Sequence, residues 1–142
     1  MDNRLKTPWI ALRVGVGLTA TLAGIDKFFN LLADWGSYMS PVVTRLLPVS
    51  TPTFMGMVGV IEVAVGVAIL TGRTRIGAYV ASAWLLGIAA NLVLAGFYDV
   101  AVRDVIMSIA AFTLARLAEV RQEAPGVAFN SVTKQPHRQA TA

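Results

Sequence analysis

Four long apolar stretches, at about residues 8–29, 52–71, 76–97 and 100–118, fill nearly all of this chain before residue 120. Each approaches or reaches the roughly 20 mostly apolar residues that a helix needs to cross a bilayer. The charged residues inside them sit near the ends of the stretches or line up with small residues on one face. The pattern predicts an all-α fold, an integral membrane four-helix bundle. Composition agrees: 56% of the 142 residues are hydrophobic, 14% are charged and the mean hydropathy is +0.64. A soluble domain carries about a quarter charged residues, and it could not hide this much apolar surface.

The net charge of +4 and the pI near 10.0 do not point to nucleic acid, because the basic residues form no stripe. Arg4 and Lys6 precede the first stretch, Arg73 and Arg75 fill the turn between the second and third, and Arg116, Arg121, Lys134 and Arg138 follow the fourth. These are alternate connections, so they fall on one side. The positive-inside rule makes that side cytoplasmic and places both termini there. The excess positive charge then reflects topology and contact with anionic membrane lipids. Arg4 and Lys6 also resemble the start of a cleaved leader, but Arg13 interrupts the apolar run and more membrane follows, so cleavage is not expected. The absence of cysteine removes disulfides, thiolate metal sites and dithiol relays.

Punctuation divides the chain into a four-span domain over residues 1–123 and a flexible cytoplasmic tail over 124–142. The tail holds the only histidine, His137, which has no metal partner in the sequence around it. The first outer loop, from Asp34 to Thr51, is too long and apolar for a plain connector. In it Trp35, Met39, Val42, Leu46 and Leu47 recur at helical spacing, with Ser37, Ser40, Thr44 and Arg45 on the other side. This predicts a short amphipathic helix in the outer interface, broken by Pro41 and Pro48. It would act as a lid, or as a packing segment whose Trp35 and Tyr38 join the aromatic belt. Ser50 or Thr51 can cap the second stretch, with Pro52 suited to its first turn, and Gly72 closes it. The tight turn from Phe97 to Asp99 makes the last two stretches an antiparallel hairpin.

Polar residues within the spans mark the candidate site. On the first stretch Arg13, Gly17, Ala20, Gly24 and Lys27 share a face, and the two cations are about 21 Å apart along a helix. Arg13 is therefore a second polar position near the inner face, and Lys27 lies near the outer one. Gly56, Gly59, Glu62 and Gly66 repeat the device on the second stretch. A charged Glu62 at mid-span costs about 2.5 to 3.5 kcal/mol to insert on translocon scales, so it must pair, accept hydrogen bonds or protonate. Asn91 sits toward the outer half of the third stretch, sharing a face with Gly87. Asp104, Ser108, Ala111 and Ala115 form a small and polar stripe on the fourth, with Arg103 beside it. Antiparallel spans bring Asp26, Lys27, Asn91, Arg103 and Asp104 to one level, with Glu62 just beneath. Two uses fit this set: a network that glues the helices, or an outward pocket for a quinone-like headgroup, a small anion or a proton.

The runs Arg13-Val14-Gly15-Val16-Gly17-Leu18 and Gly24-Ile25-Asp26-Lys27-Phe28 carry a resemblance to a known family. So do Gly59-Val60-Ile61-Glu62 with Gly66, Leu70, Gly72 and Arg73-Thr74-Arg75, and finally Arg103-Asp104. Together, over residues 8 to 118, they resemble the DoxX family of small four-helix bacterial membrane proteins. The resemblance implies the bacterial cytoplasmic membrane and an association with quinone-linked or sulfur-linked redox systems. The chain has no in-span histidine pair, no cysteine and no dinucleotide loop for haem, an iron–sulfur cluster or flavin. Any electrons would be carried by a bound quinone or a partner subunit. The expected function is thus a cofactor-free accessory or anchoring subunit of a quinone-linked respiratory or redox complex. One alternative is a quinone site in its own right, with Lys27, Arg103 or Asn91 donating to a quinone oxygen and Glu62 handling its proton. The other is a small transporter or lipid-binding module.

Overall fold

The computed structural model describes residues 2–132, with side chains through residue 122. It is all helical: α1 (Asn3–Asp26), a 3₁₀ turn (Trp35–Tyr38), α2 (Pro41–Leu46), α3 (Thr51–Leu70), α4 (Thr74–Ala95) and α5 (Tyr98–Val132). Among the described residues α1, α3 and α4 are each long and apolar enough to cross a membrane. The fold is thus a bundle of several membrane-length helices with a short connecting helix. The last residues of the expected tail, 133–142, lie outside the described residues, and α5 runs on to Val132 past the boundary drawn at residue 123.

The helices form a ring in which α1 packs along α3, α3 on α4, α4 along α5, and α5 back on α1. Neighbours run antiparallel. Thr21 meets Gly66 where Gly24 meets Gly59, and Tyr79 bonds Glu119 where Ser82 bonds Ser108. The packing inverts that of a soluble protein. Many large apolar side chains point outward, as in the row Ile10, Val14, Leu18, Leu22 and Ile25 on α1, while the interior combines Ala78, Ala111, Ala115 and glycines with a few large residues such as Ile69 and Leu114. Lipid tails are as apolar as leucine, so nothing drives the large side chains inward. Close packing of small ones is what joins helices there.

That packing is tightest between α1 and α3. A Cβ on Gly24 would stand 2.7 Å from the Gly59 carbonyl oxygen, and one on Gly59 would stand 2.6 Å from that of Gly24. One on Gly66 would stand 2.8 Å from the Gly17 carbonyl oxygen and would overlap the Thr21 hydroxyl. The two small-residue faces expected from spacing therefore pack on each other.

The helix ends have identifiable causes. α1 begins at Asn3, earlier than its apolar run, because the Asp2 carboxylate accepts the N–H of Arg4 at 3.1 Å. It ends at Asp26 rather than near Phe29 to Leu32, and the chain turns with Asn30 at φ 52°. Pro41 opens α2 instead of breaking a longer helix, with the Ser40 hydroxyl capping it. Ser40 is fully buried, contrary to its expected place on the polar side, whereas Val42 and Leu46 are exposed. α4 stops at Gly96, φ 84°, where the Phe97 N–H donates to Leu92 and that of Gly96 to Val93. This C-cap leaves only two residues before α5 and makes the hairpin.

Arg13 explains the other end of α3. Its guanidinium donates to the carbonyls of Ile69 at 3.0 Å and Leu70 at 2.6 Å, and the Thr74 hydroxyl donates to Ile69 at 2.9 Å. The last carbonyls of a helix have no intrahelical donor, and a cation there also opposes the negative end of the dipole. The Trp9 ring lies against the guanidinium of Arg13 at 4.9 Å and that of Arg121 at 4.0 Å, which ties the start of α1 to α5.

The seam predicts a graded response to one added methyl. Gly59→Ala and Gly66→Ala each require backbone movement and should cost about 1 to 3 kcal/mol. Gly15→Ala and Gly87→Ala meet nothing within 4 Å, and they should be neutral or raise stability by up to about 1 kcal/mol through helix propensity. Thermal unfolding of the four variants in one detergent checks this. Equal effects at all four would remove the seam as the basis of α1–α3 packing.

Candidate functional site

At the end of the bundle opposite Arg13, the α1–α3 seam sets the level of two charged side chains. Lys27 follows the last residue of α1 and Glu62 lies mid-way along α3, three residues from Gly59. With the backbones in contact, Lys27 Nζ reaches Glu62 Oε2 at 2.6 Å, and the side chains are only 6% and 9% exposed. A charge-assisted hydrogen bond of this length satisfies both ions. Removing either partner strands a charge that is costly to bury.

The loop between α1 and α3 covers the pair. The indole of Trp35 lies under the ammonium, 3.9 Å from Nζ to the ring centroid, an arrangement favoured by the ring quadrupole. The same indole donates from Nε1 to Asp26 Oδ2 at 2.8 Å. Asp26 also accepts the backbone N–H groups of Leu31 and Leu32, both at 2.9 Å. It is therefore the anchor of the loop rather than a partner of Lys27. Asn91 has a matching role from α4: its Oδ1 accepts the N–H of Ser40 at 3.0 Å and its Nδ2 donates to the Tyr38 carbonyl at 2.9 Å. Tyr38 completes the attachment through an edge contact with Phe97, with centroids 4.9 Å apart. One carboxylate and one amide thus fix the backbone of the loop over the Lys27–Glu62 pair.

Asp104 is half-buried on α5, within electrostatic reach of Arg103, Glu62 and Lys27. Arg103 is exposed beside it. Of the five polar residues expected at one level, with Glu62 just beneath, the structure joins Lys27 to Glu62 directly, places Asp104 within electrostatic reach of both with Arg103 exposed beside it, and gives Asp26 and Asn91 to the α1–α3 loop. Gly87, one turn before Asn91, has open space where a Cβ would stand. Arg13, the seventh, serves as the cap of α3. The stripe expected on α5 packs inward, with the Ser108 hydroxyl donating to the Ser82 carbonyl at 2.8 Å.

Two contributions were not visible beforehand. Trp35 reads from sequence as an aromatic-belt residue, and only the fold shows its ring against Lys27. Glu119, on no small-residue stripe, accepts from the Tyr79 hydroxyl at 2.8 Å and pairs with Arg75 at 3.3 Å and with Arg116. Beside the covered pair a cavity of about 260 Å³ opens, lined by Lys27, Asn30, Asp34 and Gly36 on one side and Thr51, Pro52 and Met55 on the other. Lys27, Asn30 and Asp34 give it polar lining beside an apolar wall. Such a site can hold a small polar headgroup.

A double-mutant cycle tests the pair. Lys27→Met leaves Glu62 uncompensated and should destabilise the bundle by about 3 to 5 kcal/mol. Adding Glu62→Gln should restore a large part of that loss, a coupling of about 1 kcal/mol or more. Strictly additive unfolding free energies in detergent would dissolve the pair as an energetic unit.

Compared with family models, with curated proteins and with solved structures, the chain matches none of them.

Proposed function

We propose that this chain is a DoxX-like protein of the bacterial cytoplasmic membrane, crossing it four times with both termini cytoplasmic. In this reading it is a cofactor-free accessory or anchoring subunit of a quinone-linked respiratory or redox complex. The observation that carries the subunit role is that the polar groups of the covered end are engaged within the chain. Lys27 is bonded to Glu62, Asp26 to three donors, and Asn91 to the lid through both amide atoms. A network satisfied internally rigidifies a bundle and presents a fixed surface to a partner. The glycine-spaced Lys27 and Glu62, which contact each other, support the resemblance to the family. The fourth crossing is supported by the packing of α5 along α4 and by its buried Ala111, Leu114, Ala115 and Ala118.

The cavity beside Lys27 favours a second reading, a quinone headgroup site. There the Lys27 ammonium would donate to a quinone oxygen, and Glu62, already hydrogen-bonded to Lys27, would take up or release its proton. Orientation is supported by the gathering of Arg13, Arg73, Arg75, Arg116 and Arg121 at one end. On the positive-inside rule that end is cytoplasmic.

Isolation from the native membrane in mild detergent tests the function. A stable redox protein partner is the expected companion, and the chain itself should show no visible absorption band. Retained quinone without a protein partner, lost in Glu62→Gln, would replace the first reading by the second, and the absence of both companions would sink both. Orientation is tested in the cysteine-free chain with Leu46→Cys, exposed on α2, and Arg73→Cys at the α3–α4 turn. An impermeant thiol reagent should label the first on intact cells and the second only after lysis. The reverse order would invert the topology.

A further inference from the structure

We propose that the basic end of the bundle carries a specific site for an anionic phospholipid, with its headgroup phosphate on Arg73 and Arg75 and an acyl chain along the outer face of α4. A cavity of about 650 Å³ opens there, lined by Gly72, Arg73, Arg75, Ile76, Tyr79, Val80 and Gln122. Its two kinds of wall match the two parts of such a lipid.

The charged wall is prepared for a phosphate. Arg73 is exposed, and its side chain has no hydrogen-bond or ion-pair partner among the described residues. Arg75 forms an ion pair with Glu119, its Nε 3.3 Å from Oε1, and Glu119 is itself fixed by the Tyr79 hydroxyl at 2.8 Å. This holds the guanidinium in place and leaves its two terminal nitrogens uncommitted. Terminal guanidinium nitrogens are the donors that grip phosphate. Gln122, contributed by α5, adds an amide at the rim.

The apolar wall continues from that point along the helix. Ile76 is 68% exposed and Val80 is 43% exposed, and Ala83 and Gly87 prolong the same face at helical spacing. Gly87 meets nothing within 4 Å of where a Cβ would stand. The result is a cavity that starts at two cations and continues as an exposed apolar face as far as Gly87. A free phosphate would use only the first part of it, and a zwitterionic lipid would bring a second positive charge against the arginines. Charge and shape together select an anionic glycerophospholipid. The inference requires a membrane-embedded bundle, and it holds whether or not the protein belongs to a quinone-linked complex.

Native mass spectrometry of the purified full chain in mild detergent tests it, using phosphatidylglycerol and phosphatidylcholine of identical chains. Wild type should retain the phosphatidylglycerol adduct at least about tenfold more than the phosphatidylcholine one, the factor expected from one charge-assisted hydrogen bond. Arg73→Gln, which breaks no contact among the described residues, should reduce the adduct, and Arg73→Gln with Arg75→Gln should abolish the preference. Arg45→Gln, the same charge change on α2, should leave it intact. Val80→Trp should lower retention with every charge in place, and excess inorganic phosphate should not displace the lipid. Equal retention of the two lipids, an adduct indifferent to Arg73 and Arg75, or displacement by phosphate alone would each overturn the proposal.

Discussion

The approach of α1 to α3 through Gly17, Gly24, Gly59 and Gly66 is the constraint from which the other features follow. In lipid the burial of apolar surface gives no reason for two helices to associate, so they hold together by dispersion at short range and by what that range allows. Here it allows contacts at both ends. Lys27 is short of Glu62 unless the backbones touch near Gly24 and Gly59, and Arg13 caps α3 only because Gly17 admits Leu70 against α1. A bulkier seam would move both cations away from their acceptors.

The covered end shows how little is needed to order a long loop at a membrane surface. Residues 27–50 contain one short helix and one 3₁₀ turn, yet their position is set by Asp26, Asn91 and the Trp35 ring. Two of these anchors bond to backbone groups, which would otherwise face an interface poor in water. The loop's apolar side chains, Leu31, Leu32 and Leu46, stay exposed. In a bilayer they are available to the lipid interface, so the loop is held by polar bonds beneath and apolar contacts outside.

Much of this was legible in the sequence. Glycine and cation spacing on α1, and glycine and glutamate spacing on α3, marked the two faces that meet, because helical periodicity converts directly into a shared face, but left the partner of Glu62 open. The helical connector was legible for the same reason, and the hairpin from the tight turn at Phe97 to Asp99. What the sequence concealed depends on where the chain goes after a helix ends. The 3.6-residue period says nothing about an Asp26 carboxylate turning back to hold Leu31 and Leu32, and it assigned Ser40 to a polar surface that tertiary contact with Asn91 overrides. Glu119 was hidden because its partners, Tyr79 and Arg75, are forty or more positions away.

Arg13 and Lys27 have a consequence for the birth of the protein. Standing alone in a bilayer, α1 would present two cations without acceptors, one toward each end of the span. Both acceptors, the Glu62 carboxylate and the Ile69 and Leu70 carbonyls, lie on α3. The smallest piece of chain in which these charges are at rest therefore ends near residue 70. About half of this sequence must therefore be translated before both cations of α1 can meet their acceptors.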